Sequence, residues 1–278
     1  VSRTPRRLAS VLTAVVAAAA LVALSACSSS STSTTHGLQT VTAGKLTIAT
    51  GQPAYSPWVI DNKPQNGKGF ESAVAYAVAK KLGFSKDEVT WVRTGFDEAI
   101  APGPKNFDFN LQQFSITDQR KKAVDFSSPY YTTTQAIVAY KGTPIASATS
   151  AADLKGYKIG VPAGTTSYDV LVKEVGGTPA VFNSEDDAVQ ALKSKQIDAI
   201  AVDLPAAFYI TSAQLKNATI VGQFSDTTGG DDYGLVLPKN SPNTKKVTAA
   251  VDALRKDGTL AALEKKWLSD SVNVPTFK

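Results

Sequence analysis

The sequence predicts an α/β protein with largely parallel sheets, and three observations carry that prediction. From about Gly44 onward, short apolar runs suited to strands alternate with the three-to-four-residue apolar spacing of helices. Of the 278 residues, 43% are hydrophobic, enough to fill one large domain or two modest ones. No long Pro/Gly linker divides the chain and no internal repeat is evident. In such folds ligands sit beyond the carboxyl ends of the strands, so candidate site residues are sought there.

The first segment reads as an address. Arg3, Arg6 and Arg7 precede an apolar run from Leu8 to Leu24, interrupted only by Ser10 and Thr13. The run falls just short of the roughly 18 residues wanted for a spanning helix, and its flanks are those of a secretory signal covering 1–26. Leu24-Ser25-Ala26-Cys27 resembles the lipobox of bacterial lipoproteins. That resemblance implies cleavage before Cys27 and a diacylglyceryl group on its thiol, and two acyl chains hold a protein to a membrane where one does not. A buried Cys at the end of an uncleaved anchor helix is the other reading. Residues 27–43, with Ser28 to Thr35 all Ser or Thr, read as a lipidated Cys and a flexible tether.

Removing this signal changes the charge balance. Its three Arg and no acid turn 29 Lys and Arg against 24 Asp and Glu into 26 against 24. The basic excess largely disappears, and no basic cluster interleaved with aromatics is left, which argues against nucleic acid as a partner. One Cys rules out an internal disulfide framework, and one Cys with one His leaves no zinc site of the His/Cys type. His36 falls in the tether and reads as unstructured, so Cys-His or Ser-His nucleophilic catalysis is disfavoured. No cofactor, metal site or catalytic residue is expected.

The body then unfolds element by element. Lys45 to Thr50 is a first strand, ended by the loop Pro53 to Pro57. Phe70 to Leu82 places Phe70, Ala73, Val74, Ala77 and Val78 on one helical stripe, with Lys80 and Lys81 in the last turn and Gly83 as the stop. Further strands are predicted at Val89–Val92, Phe107–Leu111, Ala136–Tyr140, Tyr157–Val161, Ile197–Val202 and Tyr233–Leu237. Helices are predicted at Asp97–Ala101, Ser167–Val175, Ser184–Lys195, Asn243–Lys256 and Leu260–Leu268.

Seven segments, in order along nearly the whole body, carry a family resemblance. They are Pro53-Ala54-Tyr55-Ser56-Pro57-Trp58, Gly67-Lys68-Gly69-Phe70-Glu71, and Phe114-Ser115-Ile116-Thr117-Asp118-Gln119-Arg120. Then follow Val124-Asp125-Phe126-Ser127-Ser128-Pro129-Tyr130-Tyr131, Gly160 to Thr166, Ile197-Asp198-Ala199 with Asp203, and Asp257-Gly258-Thr259 with Lys266-Trp267. Together they resemble the solute-binding proteins of polar amino acid ABC importers, the family of the periplasmic histidine and lysine/arginine/ornithine binders. The resemblance implies a two-lobed periplasmic binding protein fold (type II), each lobe a mostly parallel sheet flanked by helices. Two hinge crossings join the lobes, near Thr132 to Gln135 and Asp232 to Leu235. Lobe 1 is then 44–134 plus 234–278, and lobe 2 is 135–233.

A free amino acid presents a carboxylate and an ammonium, and burying either unpaired costs several kcal/mol. By the resemblance, Arg120 clamps the carboxylate, a bidentate task that Lys performs poorly. Ser115 adds a hydroxyl, and Thr165 and Thr166 add a helix start that favours an anion. Asp203 pairs with the ammonium, which the Gln113 backbone carbonyl also receives. Tyr55 and Phe96 stand where two rings sandwich the ligand side chain. Glu71 stands where basic amino acid binders face the ligand's distal cation, and it also suits the positive end of the helix from Phe70. Gln52 occupies the place of a second acid in those binders, and Gln112 adds an amide. Bland readings compete with several of these: a surface Arg, an ordinary N-cap, a loop Asp, a core aromatic. The pocket reads as suited to a polar amino acid, and the missing acid at Gln52 weakens the case for Lys or Arg and leaves a neutral ligand open.

Three classes of function remain open. One is a lipid-anchored, extracytoplasmic, monomeric receptor that delivers a free amino acid to an ABC permease with a cytoplasmic ATPase. A second is a secreted enzyme on the same fold, of the cyclohexadienyl dehydratase kind. A third is a ligand-sensing surface protein.

Overall fold

The computed structural model describes residues 34–225, 230–268 and 274–278. The signal segment, Cys27 and residues 28–33 lie outside them. In chain order the main elements are β1 (Thr34–Thr35), β2 (Leu38–Gln39), β3 (Leu46–Gly51), α1 (Phe70–Lys81), β4 (Val89–Thr94), α2 (Phe96–Ile100), β5 (Phe109–Asn110), α3 (Asp118–Lys121) and β6 (Val124–Tyr140). After them come β7 (Ile159–Pro162), α4 (Thr166–Glu174), β8 (Ala180–Phe182), α5 (Glu185–Lys193), β9 (Ala199–Asp203), α6 (Leu204–Tyr209), β10 (Ala218–Gln223), β11 (Gly230–Pro238), α7 (Thr244–Lys256) and α8 (Thr259–Trp267). Among the described residues no helix is long and apolar enough to cross a membrane.

Two parallel sheet cores share a pair of long crossing strands. In the first, β3 lies between β4 and β5, parallel to both; in the second, β7 lies between β8 and β9, parallel to both. β6 and β11 run antiparallel to each other, from Val124 opposite Pro238 to Thr134 opposite Gly230. β11 also pairs with β5, and the far end of β6 pairs with β9 and β10, so the two strands join the halves. The β6–β11 register shifts where Pro129 lies opposite Gly234. Proline has no N–H to donate, and strands tolerate it at such irregularities. This is the two-lobed architecture the resemblance implies, with β6 and β11 running between the halves.

The apolar pattern explains why each half is stable. In the first half, Phe70, Val74, Ala75 and Val78 of α1 are fully buried against Leu46, Ile48 and the α7 residues Val247, Val251 and Leu254. Trp58 anchors this core, its ring 5.6 to 5.9 Å from those of Phe70, Tyr131 and Tyr233. A second cluster on the same half joins Ala49, Phe107, Phe114 and Val236. The other half is filled by Val138, Leu192, Ile200 and Ile210 on one face and by Ile137, Val161, Leu171 and Ala199 on the other. Burying each large aliphatic or aromatic side chain contributes about 1.5–3 kcal/mol.

The body departs from the sequence expectation at both ends. His36 and Gly37, with φ of 51° and 77°, form the turn of a small hairpin between β1 and β2. The His36 ring packs edge-on against Phe84 at 4.7 Å, and its Nε2 lies 3.4 Å from Glu88. Leu38 is buried in the first core. The stretch from Thr34, read as tether, is therefore docked, because Leu38 supplies an apolar side chain that the Ser/Thr composition conceals. At the other end, residues 274–278 join the second half rather than the first. Phe277 packs on Phe224 at 5.3 Å, and Gln223 exchanges backbone hydrogen bonds with Pro275 and Phe277.

Sequence periodicity also overlooked short elements. The helices α3 and α6 and the strands β8 and β10 are each six residues or fewer. Too few residues are present for a period to register.

Candidate functional site

A cavity of about 280 Å³ lies where the carboxyl ends of β3, β7 and β9 meet the starts of α2, α4 and α5. Small-molecule sites commonly span roughly 300–1,000 Å³, so this one suits a small ligand. From the first half it is lined by Gln52, Tyr55, Phe96, Gln112, Gln113, Ser115 and Arg120, and from the second by Thr165, Thr166, Ser184, Glu185 and Asp203.

Arg120 is held in place by its own chain and by the other half. The Thr117 hydroxyl accepts from the Arg120 N–H at 3.1 Å, capping the start of α3. The guanidinium donates from Nη1 to the Ser115 carbonyl and from Nη2 to the Gly164 carbonyl, each at 2.8 Å. It also lies 5.4 Å over the Phe96 ring. Burial lowers its pKa, and the carboxylates of Asp231 and Asp203 act against that shift. Gly164 has φ +71°, and a Cβ there would stand 2.5 Å from an Asp97 oxygen. Only glycine permits that close approach of the two halves.

Asp203 closes the end of β9, where a strand delivers its last side chain to the cavity. Burial first, then the neighbouring Asp231 carboxylate, push its carboxyl up to about 7; the Tyr233 hydroxyl, the Gln135 amide and Arg120 oppose the rise. Gln135, on the crossing strand β6, donates through Nε2 to Asp203 and, at 2.9 Å, to Asp231, and its Oε1 accepts from Ser167. Thr166 donates its hydroxyl to Asp231 and lies 3.4 Å from the Ser115 hydroxyl across the cavity. The Thr165 hydroxyl donates to the Pro162 carbonyl at 2.9 Å instead of capping α4. What both threonines present at the helix start is therefore backbone N–H groups and a dipole.

The two predicted rings both reach the cavity. Phe96 packs on Phe114 at 4.7 Å, and the Tyr55 hydroxyl reaches Asp186 of the other half at 3.4 Å. Gln52, Gln112 and Gln113 also line it. Glu71 does not. It is 1% exposed, with one carboxylate oxygen accepting from the Tyr130 hydroxyl and from the Gln113 N–H at 2.8 Å, and the other from the Gln113 side-chain amide. Burial pushes it up to about 7 despite those three donors. Gln113 has φ +52°, a left-handed conformation that costs a residue with a Cβ about 1–2 kcal/mol. The expectation that Glu71 touches the ligand is thus corrected: it holds the Gln113 turn from behind. Cys27 lies outside the described residues.

Gln135, Asp231 and Glu185 were not singled out from the sequence. Gln135 fell inside the predicted crossing and Asp231 beside the other, so a search for polar residues at the hinge would have found them. Glu185 follows the N-cap Ser184, whose hydroxyl accepts from the Asp187 N–H at 3.1 Å. In sequence that pattern reads as an ordinary helix start.

Residues 46–270 match the family described as bacterial extracellular solute-binding proteins, family 3. The chain is 31% identical over 240 residues to the L-cystine-binding protein TcyJ of Escherichia coli (strain K12), covering 85% of this chain and 88% of that protein. It is 30% identical over 244 residues to an L-arginine-binding protein of Pseudomonas aeruginosa, covering 84% and 92%. Among solved structures it is similar to an ancestral arginine-binding protein bound to glutamine, with 35% identity and a TM-score of 0.68 over 81% of this chain and 98% of that one.

Proposed function

Because this chain belongs to the bacterial extracellular solute-binding proteins of family 3, we propose that it is a receptor that closes on a free polar amino acid and delivers it to an ABC permease with a cytoplasmic ATPase. The single observation that carries this reading is that Arg120 and Asp203, one from each half, line the same small cavity. Arg120, Ser115 and the amides at Thr165 and Thr166 take the carboxylate; Asp203 and the Gln113 carbonyl take the ammonium. Tyr55 and Phe96 flank the side chain, with Gln52 and Gln112 beside it. Lobe 1 is 34–134 with 234–268, and lobe 2 is 135–225 with 230–233 and 274–278. Since the two charged partners of the ligand come from different lobes, binding favours the closed state.

Titrating the purified 28–278 protein with the common amino acids tests this. At about 100 times its dissociation constant, a ligand stabilises by about 2.7 kcal/mol, which raises the melting temperature by roughly 5–10 °C for a body of this size. If no amino acid shifts the melt, or if prephenate or arogenate is turned over, the receptor reading fails.

The receptor works as a monomer at the outer face of the cell membrane, anchored through a lipidated Cys27. The Leu24-Ser25-Ala26-Cys27 sequence supports this. Cys27→Ala is expected to move the protein from the membrane fraction to the medium or to block processing, read by fractionation and mass spectrometry. Normal maturation with an unchanged membrane fraction would count against the anchor.

A further inference from the structure

The charged side chains lining the cavity, among the described residues, are Arg120, Asp203 and Glu185. A bound zwitterion uses two of them, its carboxylate on Arg120 and its ammonium on Asp203. Glu185 is left over. Its Oε1 is buried and has no hydrogen-bond partner, and the Oε1 of Gln112, facing the same cavity from the other lobe, has none either. Two buried acceptors without donors in one cavity call for a ligand that brings donors, since each costs about 1–3 kcal/mol if left unsatisfied.

We propose that Glu185 is the specificity-determining acid of this site, accepting hydrogen bonds from a cationic end of the bound side chain and so selecting a basic amino acid. The proposal rests on the receptor reading above and deepens it. It places in lobe 2 the acid that the first lobe lacks, where Gln52 stands. Glu185 lines the cavity together with Tyr55 of the first lobe and Asp203 of its own. Its charge acts on the Tyr55 hydroxyl, which burial, Asp186 and Glu185 together push upward, and Glu185 is in turn acted on by Asp203. Burial, then Asp203 and Asp186, push the Glu185 carboxyl up to about 8. A guanidinium or ammonium against Oε1 opposes all three causes and restores the carboxylate. Because α5 belongs to the second lobe, the side chain as well as the α-amino acid head then draws that lobe closed.

The test compares L-arginine with L-citrulline, which has nearly the same shape without the charge, by calorimetric titration of the 28–278 protein. The wild type is expected to prefer arginine by about tenfold or more. Glu185→Gln, which keeps the size and an acceptor oxygen but not the charge, is expected to bring the two affinities within about threefold. Glu185→Ala, which introduces no new polar group, is expected to do the same. An arginine preference that survives both substitutions, or a wild type with no such preference, overturns the assignment while leaving the receptor reading standing. A wild type that binds no amino acid at all overturns both.

Discussion

Arg120→Ala is expected to weaken amino acid binding by roughly 30-fold to several thousand-fold. Truncating one partner of a buried, hydrogen-bonded charge pair costs about 2–5 kcal/mol, and each 1.4 kcal/mol is about tenfold in affinity. The effect is large because the guanidinium is pre-positioned. Two of its nitrogens are tied to the Ser115 and Gly164 carbonyls and its face lies on Phe96. Little side-chain entropy is left to lose on binding. Arg120→Lys is expected to recover only part of the loss, since an ammonium cannot engage a carboxylate bidentately. The ligand-free variant should still unfold cooperatively, because α3 is capped through the Arg120 backbone N–H and not its side chain. Calorimetric titration alongside a circular dichroism melt reads both quantities. Wild-type affinity within about threefold in Arg120→Ala would refute the site.

Glu71→Ala is expected to have the largest effect on stability, about 3 kcal/mol or more by denaturant unfolding. It strands the buried Tyr130 hydroxyl and the half-buried backbone and side-chain N–H groups of Gln113, and a buried donor costs about 1–3 kcal/mol when unsatisfied. It also releases the left-handed turn at Gln113 that presents a carbonyl to the cavity, so affinity should fall with stability. Glu71→Gln separates shape from charge. Burial holds the folded carboxyl up at about 7, against an ordinary value of 4.5. The native state therefore holds a proton that the unfolded state has lost, and this contribution weakens as pH rises from about 4.5 to about 7. Asp203 and Glu185 shift in the same direction. The ligand-free protein should thus be less stable at pH 8 than at pH 5, and Glu71→Gln should make that decline shallower. An equally steep decline in the variant would show that Glu71 is not a source of it.

Glu71 also shows how far a linear sequence reaches. The motif around it is present and its helix runs from Phe70 as predicted, yet the side chain points behind the site. A position in a motif says which helix face a residue occupies; only the packing of Tyr130 and Gln113 against that face says what it touches. Arg120 and Asp203 were found through the resemblance, at the motif after Ser-Ile-Thr and at the end of an apolar strand, and both line the cavity. Gln135 and Asp231 were less legible because they act in a pair, on strands about a hundred positions apart. His36 was misread for a related reason, since its Ser/Thr neighbours look like a tether while Phe84 and Leu38 bind the turn to the body.

By itself the sequence determined the alternation of strands and helices; the two crossings and the candidate site residues came with the family resemblance that its seven segments carry. The alternation follows from periodicity and turn chemistry, which are properties of neighbours in the chain, and the resemblance from the order of short motifs along it. The tertiary structure decided which residues line the cavity and which support it, that the chain is docked from Thr34, that residues 274–278 pack on the second half, and that the Oε1 of Glu185 is buried without a hydrogen-bond partner. Each of these depends on burial and on contacts between distant segments, where the energy of a charged or polar group is set by what the fold places against it.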